Sequence, residues 1–309
     1  MRAAVEKILR SNLAIQEGER ILIVTDENKH ALARRFCDAA EELGYAAELA
    51  TIPIPEVHGV EPPAAVANRM IEADIIFIIT TRSLSHTQAR ANATEKGARI
   101  ATMSGITEDI LRRFSQVDLQ QMKVRTNRLA DILDQGEQVL LTSSKGTKLA
   151  FSIAGRAAHG RKASIFDQPS FWGNIPCGEA CIAPVEDSVN GKLIIDTSIA
   201  GVGLVDQDAI FSIEQGKIVR IEGGNAARQF EALLDDPRKR QVAEFGIGTN
   251  DKAQITGITL EDEKVLGTCH IAFGNNKFLG GINEVQFHMD CVMRAPTIVV
   301  DGQLIAEDS

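Results

Sequence analysis

AEFGIGTN (Ala243–Asn250), VLGTCHIAFGNN (Val265–Asn276) and GINEVQFHMDCVM (Gly281–Met293) decide how this chain is read. Each is a short apolar run punctuated by glycine, the texture of a β-strand bounded by turns. Such segments normally carry no polar side chains inward. These three carry Glu244, His270, His288 and Asp290. In His288-Met289-Asp290, residues i and i+2 of a strand face the same side, so an imidazole and a carboxylate are presented together. Cys269 and Cys291 adjoin these residues and are expected to point the other way, into packing behind the site. Buried carboxylates without a partner cost several kcal/mol. The same texture recurs upstream in PCGEACIAP, where Glu179 follows a glycine and enters an apolar run. No Arg or Lys flanks these segments in a position to pair with the acids. A divalent cation would compensate all of them at once.

Three carboxylates and two imidazoles suit Zn, Mn, Co or Fe(II) rather than a thiolate-preferring metal. Five donors exceed what one tetrahedral site needs, so two metals sharing a bridging carboxylate is the first expectation, and such sites are hydrolytic tools. A mononuclear site of His270, His288 and Asp290, with Glu179 and Glu244 as strand-end acids, is the alternative. That trio has the composition of the facial triad of non-haem iron enzymes.

Outward from this core, the first part of the chain alternates strands and helices, the pattern of a parallel α/β layer. Strands are expected at 20–25, 45–51, 74–80 and 99–103. Helices are expected at 2–13, 30–43, 64–72, 85–96, 108–114 and about 117–134. Gly44 reads as the stop of the second helix. No strand–helix junction carries GxGxxG or a P-loop, so the layer is Rossmann-like in architecture but lacks a nucleotide fingerprint. Thr80, Thr81, Arg82 and Ser83 follow the central strand at its carboxyl end, where open α/β sheets bind ligands. Beyond Gly136 the texture becomes β-rich, with a hairpin at SSKGTK and a long loop over 155–176. The fold class is thus α/β: a Rossmann-like N-terminal α/β domain over 1–135, then a β-rich α+β metal-binding domain over 136–309.

Composition sets limits. The chain has 309 residues, 44% hydrophobic and 24% charged, as in a globular protein. Its net charge of −9 argues against nucleic acid as a partner. No apolar run reaches the length of a membrane span, and the N-terminus has no signal-peptide pattern, so a cytoplasmic, non-membrane protein is expected. Five cysteines with no CxxC pair argue against a disulfide framework or a zinc ribbon.

Taken in order, NIPCGEACIAP, AEFGIGTN, GTCHIAFG and the closing HMD resemble the aminopeptidase S/aminopeptidase T family of metallopeptidases. The resemblance implies that Glu179, Glu244, His270, His288 and Asp290 are dinuclear metal ligands, that Glu179 bridges the metals or acts as base, and that the substrate is a peptide or other small molecule. The function it implies is a metal-dependent aminopeptidase-like hydrolase, a homodimer or higher homo-oligomer. Lys277 falls where that family has a functional tyrosine, and would stabilise an oxyanion there or be an exposed turn lysine. The same fold is similar to that of 2,5-dihydroxypyridine 5,6-dioxygenase, which implies the alternative: a mononuclear Fe(II) ring-cleaving enzyme using His270, His288 and Asp290, with Glu179 or Glu244 as acid or base. Phe171, Trp172 and Phe273 are then the candidates to stack on a flat substrate.

Overall fold

The computed structural model describes residues 1–161, 165 and 168–306. The chain divides into two units, Met1–Gln120 with Lys162–Cys177, and Gln121–Arg161 with Gly178–Ser309.

In the first unit, α1 (Arg2–Lys7) runs on as a π-helical turn over Ile8–Asn12. Strands β1 (Ile21–Asp26), β2 (Ala47–Ile52), β3 (Ile75–Ile79) and β4 (Arg99–Thr102) are parallel. Every residue of β1, β3 and β4 is buried, as expected of a parallel sheet covered on both faces by helices. The helices are α2 (His30–Glu42), α3 (Ala64–Glu72), α4 (Gln88–Glu95) and α5 (Glu108–Phe114). Thr87 and Thr107 cap α4 and α5 by accepting from the backbone N–H of Arg90 and Ile110. Gly44 follows α2 at φ +91°, the left-handed conformation that ends a helix. Asp26, at the carboxyl end of β1, accepts from the N–H and the hydroxyl of Thr81. Thr80 donates its hydroxyl to the Arg82 carbonyl. Ser83 donates its hydroxyl to that of Ser85, so three of the four polar residues expected to meet a ligand there are engaged in holding their own loop.

The second unit begins within α6 (Leu119–Gln135) and continues through the hairpin β5 (Gln138–Thr142) and β6 (Lys148–Ser152). The chain then returns to the first unit, where β7 (Trp172–Asn174) pairs parallel to β4 and completes the order β2-β1-β3-β4-β7. The expected boundary at 135/136 is therefore corrected. Ala130 and Leu133 of α6 pack in the second unit's core, and Thr126 shares a hydrogen bond with Thr249. The expected loop over 155–176 holds a strand, and its residues 162–164, 166 and 167 lie outside those described.

From residue 178 the chain builds two antiparallel sheets. Strands β8 (Glu179–Ile182), β9 (Asn190–Ile195), β10 (Ser198–Ile199), β11 (Gly203–Leu204), β12 (Ala209–Glu214) and β13 (Lys217–Glu222) precede α7 (Asn225–Ala232). Then come β14 (Val242–Gly248), α8 (Thr259–Asp262), β15 (Thr268–Gly274), β16 (His288–Arg294), β17 (Thr297–Val300) and β18 (Gln303–Ala306). One sheet has the order β11-β10-β16-β15-β14-β8, the other β13-β12-β9-β6-β5-β17-β18. Alternate residues of both point into a shared apolar core, where Phe151 meets Phe245 at 5.2 Å and Phe211 meets Phe273 at 5.7 Å between ring centroids. No helix among the described residues is long and apolar enough to cross a membrane.

Candidate metal centre

Register places the site. In the β14–β15–β16 ladder, Gly246 pairs with His270, Ala272 with Asp290 and Gly274 with His288. Paired residues share a face, and so do residues two apart. His270, His288 and Asp290 therefore project from one face of the sheet. Glu244, paired with Ala272, and Glu179, paired with Gly248, join them from the next two strands. The intervening residues Phe245, Ile247, Cys269, Ile271, Phe273, Cys291 and Met293 face the apolar core, so both cysteines are packing residues as expected. Phe273 is wholly buried there and unavailable to a substrate.

The donor atoms converge. Nε2 of His270 lies 3.5 Å from Oε2 of Glu179 and 3.6 Å from Oε1 of Glu244. Nε2 of His288 lies 3.1 Å from Oε2 of Glu244 and 3.5 Å from Oδ1 of Asp290. Two trios thus form, Glu179–Glu244–His270 and Glu244–His288–Asp290, each with its ligand atoms within 4.8 Å of one another. Glu244 belongs to both, one carboxylate oxygen facing each imidazole. Nδ1 of His288 is 2.8 Å from the Asn275 carbonyl. A carbonyl only accepts, so Nδ1 carries a proton and Nε2 faces the carboxylates, as in a metal-ligating histidine whose other ring nitrogen is held by the backbone. Nδ1 of His270 is buried with no hydrogen-bond partner among the described residues. A neutral imidazole pair among carboxylates is a donor set that fits a divalent first-row metal.

Without a cation, protons take up the charge. Burial pushes the imidazoles down, but Asp290 and Glu244 outweigh it and hold His288 well above its ordinary value. His270 is likewise raised, to about 9, by Glu244, Glu179 and Asp290 against its own burial. Burial works to raise the two acids, yet the imidazoles win: Glu244 is well below the usual carboxylate range and Asp290 is lowered to about 2.

All five expected ligands are brought together. Lys277 is not: its side chain is 59% exposed and its ammonium pairs with Glu284. The expectation that no cation flanks the acids is corrected. Lys264, 1% exposed, sets its ammonium 2.6 Å from Oε1 of Glu179 and also pairs with Glu263. Burial pulls Lys264 down, but Glu179 and Glu263 raise it above its ordinary value, so it stays charged. Burial pushes Glu263 up to about 8, against the pull of the Lys264 ammonium. Asn275 is the other contributor missed, since a backbone carbonyl leaves no mark in sequence. The signal that was available is Gly248. A Cβ there would lie 2.0 Å from the Val265 carbonyl oxygen and 2.8 Å from the Lys264 carbonyl carbon, so the glycine marks where the Lys264 segment comes in.

An aromatic ring flanks the cluster. The Phe278 ring stands 5.1 Å from that of His288, inclined at 67°, and is 41% exposed. Its loop is pinned by Glu186, which accepts from the Ile282 N–H and the Asn276 amide and pairs with Arg156, which also donates to the Gly280 carbonyl.

Comparison with known proteins bears on what the cluster does. The family model described as NicX, 2,5-dihydroxypyridine 5,6-dioxygenase, matches residues 1–309. A 2,5-dihydroxypyridine 5,6-dioxygenase of Pseudomonas putida is 24% identical over 254 residues, 77% of this chain and 71% of that protein. The solved structure of the dihydroxypyridine dioxygenase from Pseudomonas putida KT2440 is similar at a TM-score of 0.84 and 19% identity, over 99% of this chain and 95% of that one. Wild-type AmpT from Thermus thermophilus is similar at 0.72 and 17%, over 99% and 96%. The aminopeptidase resemblance thus holds for the fold. The expected main function, a zinc metallopeptidase or related hydrolase, is overturned by the full-length family match, and the ring-cleaving alternative is the one supported. The chain belongs to the 2,5-dihydroxypyridine 5,6-dioxygenase family.

Proposed function

We propose that the chain is a non-haem Fe(II) dioxygenase that opens the ring of a dihydroxylated pyridine, 2,5-dihydroxypyridine or a near analogue. The observation that carries the reading is the His288–Asp290 pair on β16, with His288 fixed by the Asn275 carbonyl and His270 joining it from β15. His270, His288 and Asp290 would hold the iron, with Glu244 between the two imidazoles. Bound iron would relay electrons from the dihydroxylated ring to O₂, the ring being the four-electron reductant, and would acidify the aromatic hydroxyls.

The chain's own residues do the rest. Asn275 keeps His288 in the tautomer whose Nε2 faces the cluster. Glu179, whose Oε2 lies 3.5 Å from Nε2 of His270, is the acid–base group that takes a proton from a substrate hydroxyl and returns it to the opened product. Lys264, itself paired with Glu263, holds its carboxylate through Oε1. Phe278, rather than Phe273, offers a ring face beside the cluster for a flat substrate.

The test is oxygen uptake by protein loaded anaerobically with Fe(II). One O₂ consumed per 2,5-dihydroxypyridine lost, with both oxygen atoms in the product, is the expected result. Absence of uptake with every dihydroxylated pyridine and benzene tried, by protein that retains its iron, would refute the reading.

A further inference from the structure

The two donor trios do not have equal access to a cation. In the trio Glu244–His288–Asp290, the ion pairs among the described residues join the two carboxylates to His288 and Glu244 to His270. Glu179–Glu244–His270 already has a cation, the ammonium of Lys264 on Oε1 of Glu179. That ammonium is built in. Lys264 is 1% exposed. Its segment is tied to the end of β14 by the Asn250 N–H to the Lys264 carbonyl at 2.8 Å and the Leu266 N–H to the Asn250 carbonyl at 3.0 Å. Gly248 provides the clearance. A lysine stem buried this deeply cannot swing out to water, so its charge is a fixed part of the site.

We infer that Lys264 is the cation of the second trio, and that it limits the chain to one divalent metal by satisfying Glu179 in place of a second ion. The inference rests on the reading that the cluster holds a metal at all. A divalent ion entering the second trio would have to share Glu179 with a buried positive charge that cannot relax away, and like charges in a poorly screened site repel strongly. Removing that charge, with the stem's volume kept, leaves two carboxylates and an imidazole pointed at one space with nothing to neutralise Glu179.

The test is a metal count that needs no turnover. Chelator-stripped protein is titrated with Zn(II) and with Mn(II), and bound metal is read after dialysis by elemental analysis. The wild-type chain is expected to hold one equivalent, with any second at least a hundredfold weaker. Lys264→Met should gain a second equivalent within about tenfold of the first, while Lys264→Arg should stay at one. Glu179→Gln covers the case in which Lys264→Met does not fold: with Glu179 committed to Lys264, the single metal should remain and its affinity change less than tenfold. Two comparable equivalents in the wild type, a folded Lys264→Met that still binds one, or loss of all metal in Glu179→Gln would each overturn the inference. Oxygen uptake plays no part in the count, so failure of the oxygenase reading and failure of this one are separate results.

Discussion

Gly246→Ala adds a single methyl group opposite His270, and its consequences follow from the ladder. A Cβ at Gly246 would lie 2.2 Å from Cε1 and from Nε2 of His270, and 3.0 Å from Nδ1. Ordinary contact begins at 3.4 Å, so the ring must retreat by about 1.2 Å, the difference between 3.4 and 2.2 Å. It has little room to do so: His270 is 1% exposed, in the middle of a strand paired on both sides. Overpacking of this kind costs about 1–3 kcal/mol. For a chain of this size that is a fall in Tm of roughly 2–10 °C. The displaced Nε2 also leaves its place 3.5 Å from Glu179 and 3.6 Å from Glu244. Misplacing a ligand in this way should weaken Zn(II) or Mn(II) binding about 10–100-fold, the range seen when the support of a ligand is lost. Differential scanning fluorimetry and chelator competition measure the two effects. A double-mutant cycle isolates the cause. In a His270→Ala background the methyl group meets no ring, and because Gly246 does not have a positive φ, alanine there should be neutral or stabilising by about 0.4–1 kcal/mol. An equal loss of Tm in both backgrounds, or unchanged metal affinity in Gly246→Ala, would refute the placement of His270.

Four further outcomes are expected. In chelator-treated protein the folded state holds His270 protonated to about pH 9 against an ordinary 6.5. That stabilisation is complete below 6.5 and is lost as pH rises through about 9, so the metal-free Tm should decline across this window, and metal affinity should rise over it as fewer protons must be displaced. A flat metal-free Tm over the same range would show that the imidazoles are not charged. Glu186→Ala leaves Arg156 unpaired and the Ile282 N–H and Asn276 amide unmet, so a loss of about 3 kcal/mol or more is expected. Hydrogen exchange should then quicken at least tenfold over residues 276–283, with weaker metal binding because the neighbouring Asn275 carbonyl orients His288. Lys277→Ala removes only an exposed ion pair, so metal content and oxygen uptake should stay within about twofold of wild type. All five cysteines are buried, and burial raises the thiols of Cys269 and Cys291, so a thiol reagent should label neither until the chain unfolds.

Much of this molecule is legible in its sequence because the signals are local. The apolar runs of β1 and β3 read as strands covered on both sides, and α3 and α5 start where Pro63 and the Thr107 cap say. HxD on a strand and a histidine in the adjacent strand required only the two-residue period to be read as one face. The domain boundary was harder. The change of texture at Gly136 marks the first β-strand of the second unit, whereas α6, the helix before it, packs by its buried side into that unit. Nothing in a helix's own amphipathic pattern says which of two cores it joins. The return of β7 to the first sheet was hidden for a similar reason, since three residues in a polar loop are too few to show a period.

Lys264 shows why counting ligands gave the wrong chemistry. It closes the run Glu261-Asp262-Glu263-Lys264, which by composition is a solvated turn. All four residues are buried, at 1%, 0%, 6% and 1% exposure. Glu261 and Asp262 are consumed in accepting backbone N–H groups from Gln254, Thr256 and Gly257, which folds the segment back on itself and delivers Lys264 inward. Five donors and no visible cation imply two metals, and two metals imply hydrolysis. Five donors, one of them already paired with a buried ammonium, imply a smaller metal charge. The number of carboxylates at a site is therefore not the number of metal equivalents it takes. What fixes that number is the charge left over once every buried cation has been assigned, and a cation that arrives from a distant turn is invisible to any motif written around the ligands.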